Sequence, residues 1–254
     1  MLGQIKRRES MLRDYNAENI DNESKYAYSF DYDVMHNYMI KSFQSYFKPG
    51  SVLELGCFQG AFTARLTELF TDITCIEASA NAVNIAKQNA KLKNVIFIES
   101  EFENATLNRK YNNVLLVHVL EHIDDRIALL KTIRNEWLAD EGVLIVACPN
   151  AFAPSRQIAV HMGLIKYPED VTEPERAHGH RVTYTLDTLG NDLLTSGLII
   201  KYSSGVFFKA LANFQWDRLM QTDIISNEYL DGCYELGKQY PNLCSSIYFV
   251  CGKQ

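Results

Sequence analysis

Ser51-Val-Leu-Glu-Leu-Gly-Cys-Phe-Gln-Gly60 is an apolar run that breaks into a glycine-spaced turn, and Ala61–Phe70 after it carries apolar residues at helical spacing. A strand that turns through glycines into a helix opens an alternating β/α chain. Working outward, Ile73–Ile76, Val95–Ile98, Asn113–Val117 and Gly142–Ala147 read as further short strands. Asn81–Lys91, Asp125–Trp137 and Leu186–Thr195 read as helices, Leu198–Ile200 begins a long strand, and Ser246–Cys251 closes the chain. Short, fully apolar strands must be covered on both faces, so the pattern predicts an α/β fold with a doubly wound, largely parallel sheet. Ahead of Ser51 the chain is polar and tyrosine-rich, with helical spacing over Val34–Phe47; residues 1–48 are expected to form a helical cap on a main domain spanning 49–254. Two late stretches break the rhythm, at about 149–185 and 207–243, and are too long for plain connections. They are expected to be insertions that cover a site.

Composition narrows the function. The 254 residues carry 25 basic and 31 acidic side chains, a formal charge of −6. Surfaces for nucleic acid or anionic lipid normally need a basic patch, so neither partner is expected. The first ten residues show no apolar core after their charges, and no apolar stretch approaches ~18 residues, which points to a cytoplasmic chain. The six cysteines form no C-x-x-C pair and fit reduced, mostly buried thiols.

Doubly wound sheets bind ligands at the carboxyl ends of their strands. Gly56 permits a tight turn and Gly60 a close helix start, but Phe58 stands where a dinucleotide fingerprint needs its middle glycine. Glu54, two residues before Gly56, would repel a pyrophosphate and attract an amine. The ligand suggested is a nucleoside that bears a positive charge and no phosphate. Glu77-Ala78, about 20 residues on, is placed to accept from ribose hydroxyls. Glu101 can accept from an adenine amino group and Phe102 can lie against the ring; a solvated acid beside a core phenylalanine would look the same in sequence.

Val52-Leu-Glu-Leu-Gly-Cys-Phe-Gln-Gly60, Glu77, Glu101-Phe102 and Leu116-Val-His-Val-Leu-Glu-His-Ile123 together resemble the small-molecule branch of the class I S-adenosylmethionine-dependent methyltransferases. The resemblance covers roughly Phe47 to Gly205 and the last strand. It implies a Rossmann-like, seven-stranded sheet whose last strand is antiparallel. The implied cofactor is S-adenosyl-L-methionine (SAM), with S-adenosyl-L-homocysteine (SAH) as product, lying across strand ends one, two and four. The cofactor-binding residues implied are Glu54, Gly56, Cys57, Gly60, Glu77, Ala78, Glu101, Phe102, His118 and Val119. Tyr26, Tyr28 and Tyr32 belong to a region that closes the site in related proteins, Tyr28 being the one assigned to the cofactor. Phe58 in place of glycine and Asn113 in place of aspartate depart from the family pattern.

His118-Val-Leu-Glu121-His122 also matches H-x-x-E-H, a zinc-peptidase signature that needs both histidines on one helical face. Here the strand Val114–Val117 runs straight into His118, so the two side chains should diverge, and no metal is expected. His178-Gly-His180 in the first insertion offers two imidazoles on one face of an extended segment. Either is a candidate general base, His180 ranking first and His122 third; anchoring of the insertion by hydrogen bonds explains them equally well. The second insertion, with Phe207, Phe208, Lys209 and Trp216, reads as an acceptor-side lid, as core packing or as the surface of a homodimer.

The expected activity is methyl transfer to an O or N atom of a polar small molecule. His161, Arg176, His178, His180, Arg181 and Lys209 at the proposed mouth favour a sugar or a phosphorylated intermediate of cell-surface glycan or secondary metabolism. The alternatives are a non-catalytic SAM/SAH-binding regulatory relative and a zinc hydrolase built on the H-x-x-E-H string.

Overall fold

A computed structural model of the chain describes residues 13–21 and 25–253; residues 1–12 and 22–24 of the expected cap lie outside them. Seven strands form one sheet: β1 Val52–Leu55, β2 Ile73–Glu77, β3 Ile96–Glu99, β4 Tyr111–Val117, β5 Leu138–Pro149, β6 Ile199–Phe208 and β7 Cys244–Gly252. Their order is β3-β2-β1-β4-β5-β7-β6. β1 to β5 pair in parallel, with Leu55 opposite Ile76 and Leu116 opposite Val146. β7 inserts antiparallel between β5 and β6, Cys148 facing Ile247. The doubly wound sheet with an antiparallel last strand is therefore the one expected.

Alternation along the central strands sorts side chains into two layers. Val114, Leu116, Leu144 and Val146 point to one face, where they meet Leu129, Leu130 and Trp137 beside Leu189 and Leu193. Leu115, Val143 and Ile145 point to the other, where Phe30, Met35, Met39 and Phe43 of the N-terminal segment pack with Trp216, Leu230 and Tyr234. Those N-terminal side chains are fully buried, each stabilising the fold by about 1.5–3 kcal/mol. The helix His36–Phe43 is thus largely a layer of the core, while Tyr26, Tyr28 and Tyr32 before it reach the cleft at the strand ends, with Asp31 and His36 beside them.

Several boundaries differ from the expected ones. The helix after β1 shrinks from Ala61–Phe70 to Thr63–Leu66, and the helix expected to end at Trp137 finishes in a wide turn over Ile133–Trp137. The second late stretch starts inside β6, because Phe207 is fully buried and extends the strand to Phe208. Trp216 stacks on Phe30 at 4.9 Å between ring centroids, and Phe207 and Trp216 are both buried, so these two pack as core. All six cysteines are free.

Candidate active site

The strand order reverses at β1, with β2 on one side and β4 on the other, and a cleft opens at their carboxyl ends. Its larger chamber encloses about 400 Å³ and its smaller about 80 Å³; Tyr26, Gly56, Phe58, His118 and His122 border both.

The β1 turn forms the floor. Gly56 sits at φ 71°, and a Cβ there would fall 2.5 Å from Val119 Cγ2, so only glycine lets β1 and β4 converge at this point. Phe58 takes a left-handed conformation, φ 48°, at a cost of roughly 1–2 kcal/mol for a side chain of this kind. In return its N–H donates to Glu77 Oε2 at 2.9 Å while Ser79 N–H donates to Oε1 at 2.8 Å. Both oxygens of Glu77 are thereby held, each with a lone pair left for a ligand hydroxyl. Burial raises the Glu77 carboxyl above the ordinary range, against the pull of those N–H groups. Glu54 lines the larger chamber with its carboxylate buried beside Cys75 and Thr63; burial lifts it to about 7.

The smaller chamber is walled by Ala78, Phe102, Val119 and Ile123 and closed by Arg13, Tyr15 and Tyr26 from the N-terminal segment. Tyr28, Tyr32 and Cys57 line the larger one. Two assigned residues lie outside both chambers. Glu101 turns its carboxylate to Asn104 Nδ2 at 2.9 Å, and Gly60, at φ 81°, serves the close approach of Leu92. Asn113, the other departure, is fully buried: its amide donates to the carbonyls of Lys48 and Ser51, which an aspartate could not do.

The opposite end of the larger chamber is made of Glu121, His122, His178 and His180. His118, at φ 55°, lines the same chamber and places its Nε2 2.9 Å from Ser246 Oγ. The His122 and His180 rings lie 4.5 Å apart, and Tyr26 packs edge-on to His178 at 5.4 Å. His178 Nδ1 lies 3.2 Å from the carbonyl of Glu18 and so donates to it. Burial lowers His180 to about 4, with Glu175 opposing it, and lowers His122 well below the usual imidazole range. Burial also raises Glu121 to about 8.

The basic mouth is not realised. His161, Arg176 and Arg181 are exposed outside the cleft, Arg181 pairing with Asp124 at 2.9 Å. Lys209 is buried, bonded to Asn213, whose amide holds Asp31 at 2.9 Å. Of the six residues expected there, only His178 and His180 line the chamber, which removes the argument for a phosphate or carboxylate on the acceptor. Conversely Asp31, His36 and Asn213 line it without any sequence signal that marks them.

The donor set fits a sulfonium nucleoside: a buried carboxylate at one wall, a backbone-held carboxylate at the next, and an apolar slot beyond. Residues 32–200 match the family model described as "Methyltransferase domain". Over 177 residues the chain is 25% identical to the mitochondrial ubiquinone biosynthesis O-methyltransferase of Schizosaccharomyces pombe, covering 67% of this chain and 62% of that protein. It is 29% identical over 110 residues to (S)-coclaurine N-methyltransferase of Thalictrum flavum subsp. glaucum, 41% of this chain and 30% of that one. The match to nodulation protein S of Azorhizobium caulinodans is 29% over 102 residues, 39% of this chain and 49% of that one. The chain thus spans between about a third and three fifths of the length of these relatives. Among solved structures, the plantazolicin methyltransferase BamL, bound to a triazolic desmethylPZN analog and SAH, superposes with a TM-score of 0.56 at 18% identity. That alignment covers 89% of this chain and 86% of the other. A SAM-dependent methyltransferase from Thermotoga maritima, described as a possible histamine N-methyltransferase, gives 0.59 at 15% identity, covering 88% and 91%. The family match over most of the chain and the shared sheet place it together: this chain belongs to the methyltransferase-domain family, with the class I S-adenosylmethionine-dependent fold.

Proposed function

We propose that this chain transfers the methyl group of SAM to a hydroxyl oxygen, or an amine nitrogen, of a polar small molecule. The observation that carries the reading is the polarity of the cleft: Glu54 and Glu77 at one end, and Glu121, His122, His178 and His180 at the other. Bound SAM supplies an electrophilic methyl on a sulfonium. Glu77 accepts from the ribose hydroxyls, Glu54 faces the amino group, and Phe102 with Val119 and Ile123 lines the slot for the base. Tyr26, packed 5.0 Å from Phe58 and against His178, separates the two ends and keeps water from the reacting atoms. Methyl transfer is an in-line displacement, so holding donor and acceptor in line supplies most of the acceleration. The His122 and His180 imidazoles, kept neutral by burial, are placed to take a proton from the acceptor.

Relatives that methylate oxygen and nitrogen both occur, so the acceptor atom is chosen by the chamber of each protein. The zinc-hydrolase alternative needs His118 and His122 on one ion, and the donor cluster found among the described residues joins His122 to Glu121 and His180 without His118. The experiment is calorimetry with SAH followed by transfer from methyl-labelled SAM to a metabolite extract, with mass analysis of the product. SAH binding together with labelled product supports the reading. SAH binding without turnover on any acceptor supports the regulatory relative, and no binding of either nucleoside refutes both.

A further inference from the structure

One group in the cleft is unexplained by nucleoside binding. The carboxylate oxygens of Glu121 are buried with no donor but the weak thiol of Cys148, and His180 Nδ1 is buried without a hydrogen-bond partner. A buried carboxylate without a strong donor costs several kcal/mol unless something meets it. Donor atoms of Glu121, His122 and His180 all lie within 4.8 Å of one another. From these residues we infer a binding site for one divalent first-row transition cation, on the acceptor side of the cleft.

The chemistry of the set fits. Two imidazoles and one carboxylate, with the remaining positions facing a cavity, is a donor set that such cations take with coordination sites left open. Donors about 2.1 Å from an ion stand roughly 3–3.5 Å apart, so the three side chains need to close by an ångström or so. The backbone carrying them is already strapped together. Arg181 N–H donates to the Glu121 carbonyl at 2.8 Å, Arg13 reaches the His122 carbonyl at 2.6 Å, and His180 N–H donates to the Glu175 carbonyl at 2.9 Å. The two guanidiniums nearby do not stand as free positive charge, since Arg13 pairs with Glu18 at 2.7 Å and Arg181 with Asp124. The spacing argument against zinc concerned His118 with His122; the second imidazole comes instead from 58 residues further along the chain, at His180.

The open positions face the larger chamber, so the ligand the ion takes is an oxygen of the acceptor, which favours a hydroxyl over an amine. This last step rests on the methyl-transfer reading. With the ion bound, His122 and His180 serve as ligands and not as bases; coordination lowers the hydroxyl pKa in their place, and the proton leaves to solvent. The oxygen lone pair then forms the bond to the methyl carbon as the C–S pair returns to sulfur, and the ion stays divalent throughout.

The test uses chelator-stripped protein titrated with Co(II), followed by its visible absorption, and with Zn(II), followed by elemental analysis after desalting. The expected result is one ion per chain. Glu121→Gln, His122→Ala and His180→Ala should each weaken Co(II) binding at least tenfold, whereas His161→Ala, an exposed imidazole outside the cleft, should leave it unchanged. SAH affinity, measured in parallel, should stay within about threefold in the Glu121 and His180 variants. Substoichiometric metal on the wild-type chain overturns the site whatever the variants do. So does metal that His161→Ala removes and the three cluster variants retain. Metal without SAH binding would sustain the site and sink the methyl-transfer reading; SAH without metal would do the reverse.

Discussion

Replacing Glu77 by alanine removes the acceptor for two backbone donors and, by the assignment above, for the ribose diol. In the free protein Phe58 N–H and Ser79 N–H lose their partner; Phe58 borders the cleft, where water can replace it, while Ser79 is fully buried. The stability loss should then be about 1–2 kcal/mol, a fall in melting temperature of roughly 2–8 °C for a chain of this size. The binding loss is larger. Two hydrogen bonds to a charged group are worth about 1.5–3 kcal/mol each, of which competition with water returns a part. A net of about 3 kcal/mol weakens SAH binding about a hundredfold. Glu101→Ala is the control: its carboxylate faces Asn104 and lines neither chamber, so its effect should stay under about threefold. Calorimetric titration of SAH into the two variants, with a thermal melt of each, decides the matter. Equal losses, or the larger loss at Glu101, would refute the ribose assignment.

Glu54, lifted to about 7 by burial, must be ionised to hold an ammonium, so SAH affinity should fall by up to about tenfold per unit as pH drops below 7, and Glu54→Gln should flatten that profile in calorimetry. His36 is held near 3 by burial, with Nδ1 unpartnered, while the unfolded imidazole titrates near 6.5. The folded chain therefore loses stability as pH falls from 6.5 toward 3, and His36→Leu should gain on the wild type by about 2 kcal/mol more at pH 5 than at pH 7 in denaturant melts; a constant gap would count against it. Gly56→Ala forces a Cβ into Val119 at a positive φ and should cost roughly 2–4 kcal/mol by the same melts, with Val119→Ala on top recovering part of the loss; additive losses would show that the clash is not the cause.

How much of this was legible beforehand depends on the range of the interactions. The alternation of short apolar strands with helices is local and physically forced, since a parallel sheet must be covered on both faces; the strand sequence, the glycine turn and Glu77 could all be read from it. Gly56 and the backbone-held Glu77 follow from the same few residues. Boundaries slipped where packing overrode pattern, as at Phe207, buried in a strand that runs into the start of the expected insertion.

The far end of the cleft followed no such local rule. His180 reaches Glu121 and His122 only because the first insertion folds back over β4, and the sequence distance hid that meeting. Arg176, Arg181 and Lys209 looked like a basic mouth because residue type alone does not say which way a side chain points; an ion pair holds Arg181 elsewhere, burial takes Lys209, and Arg176 is exposed outside the cleft. Sequence by itself determined the sheet, the turn and the place of Glu54 and Glu77 at the strand ends, because those depend on neighbours a few residues away. The tertiary structure decided which histidines share a chamber and leave a carboxylate without a strong donor, because only the closing of distant segments fixes that.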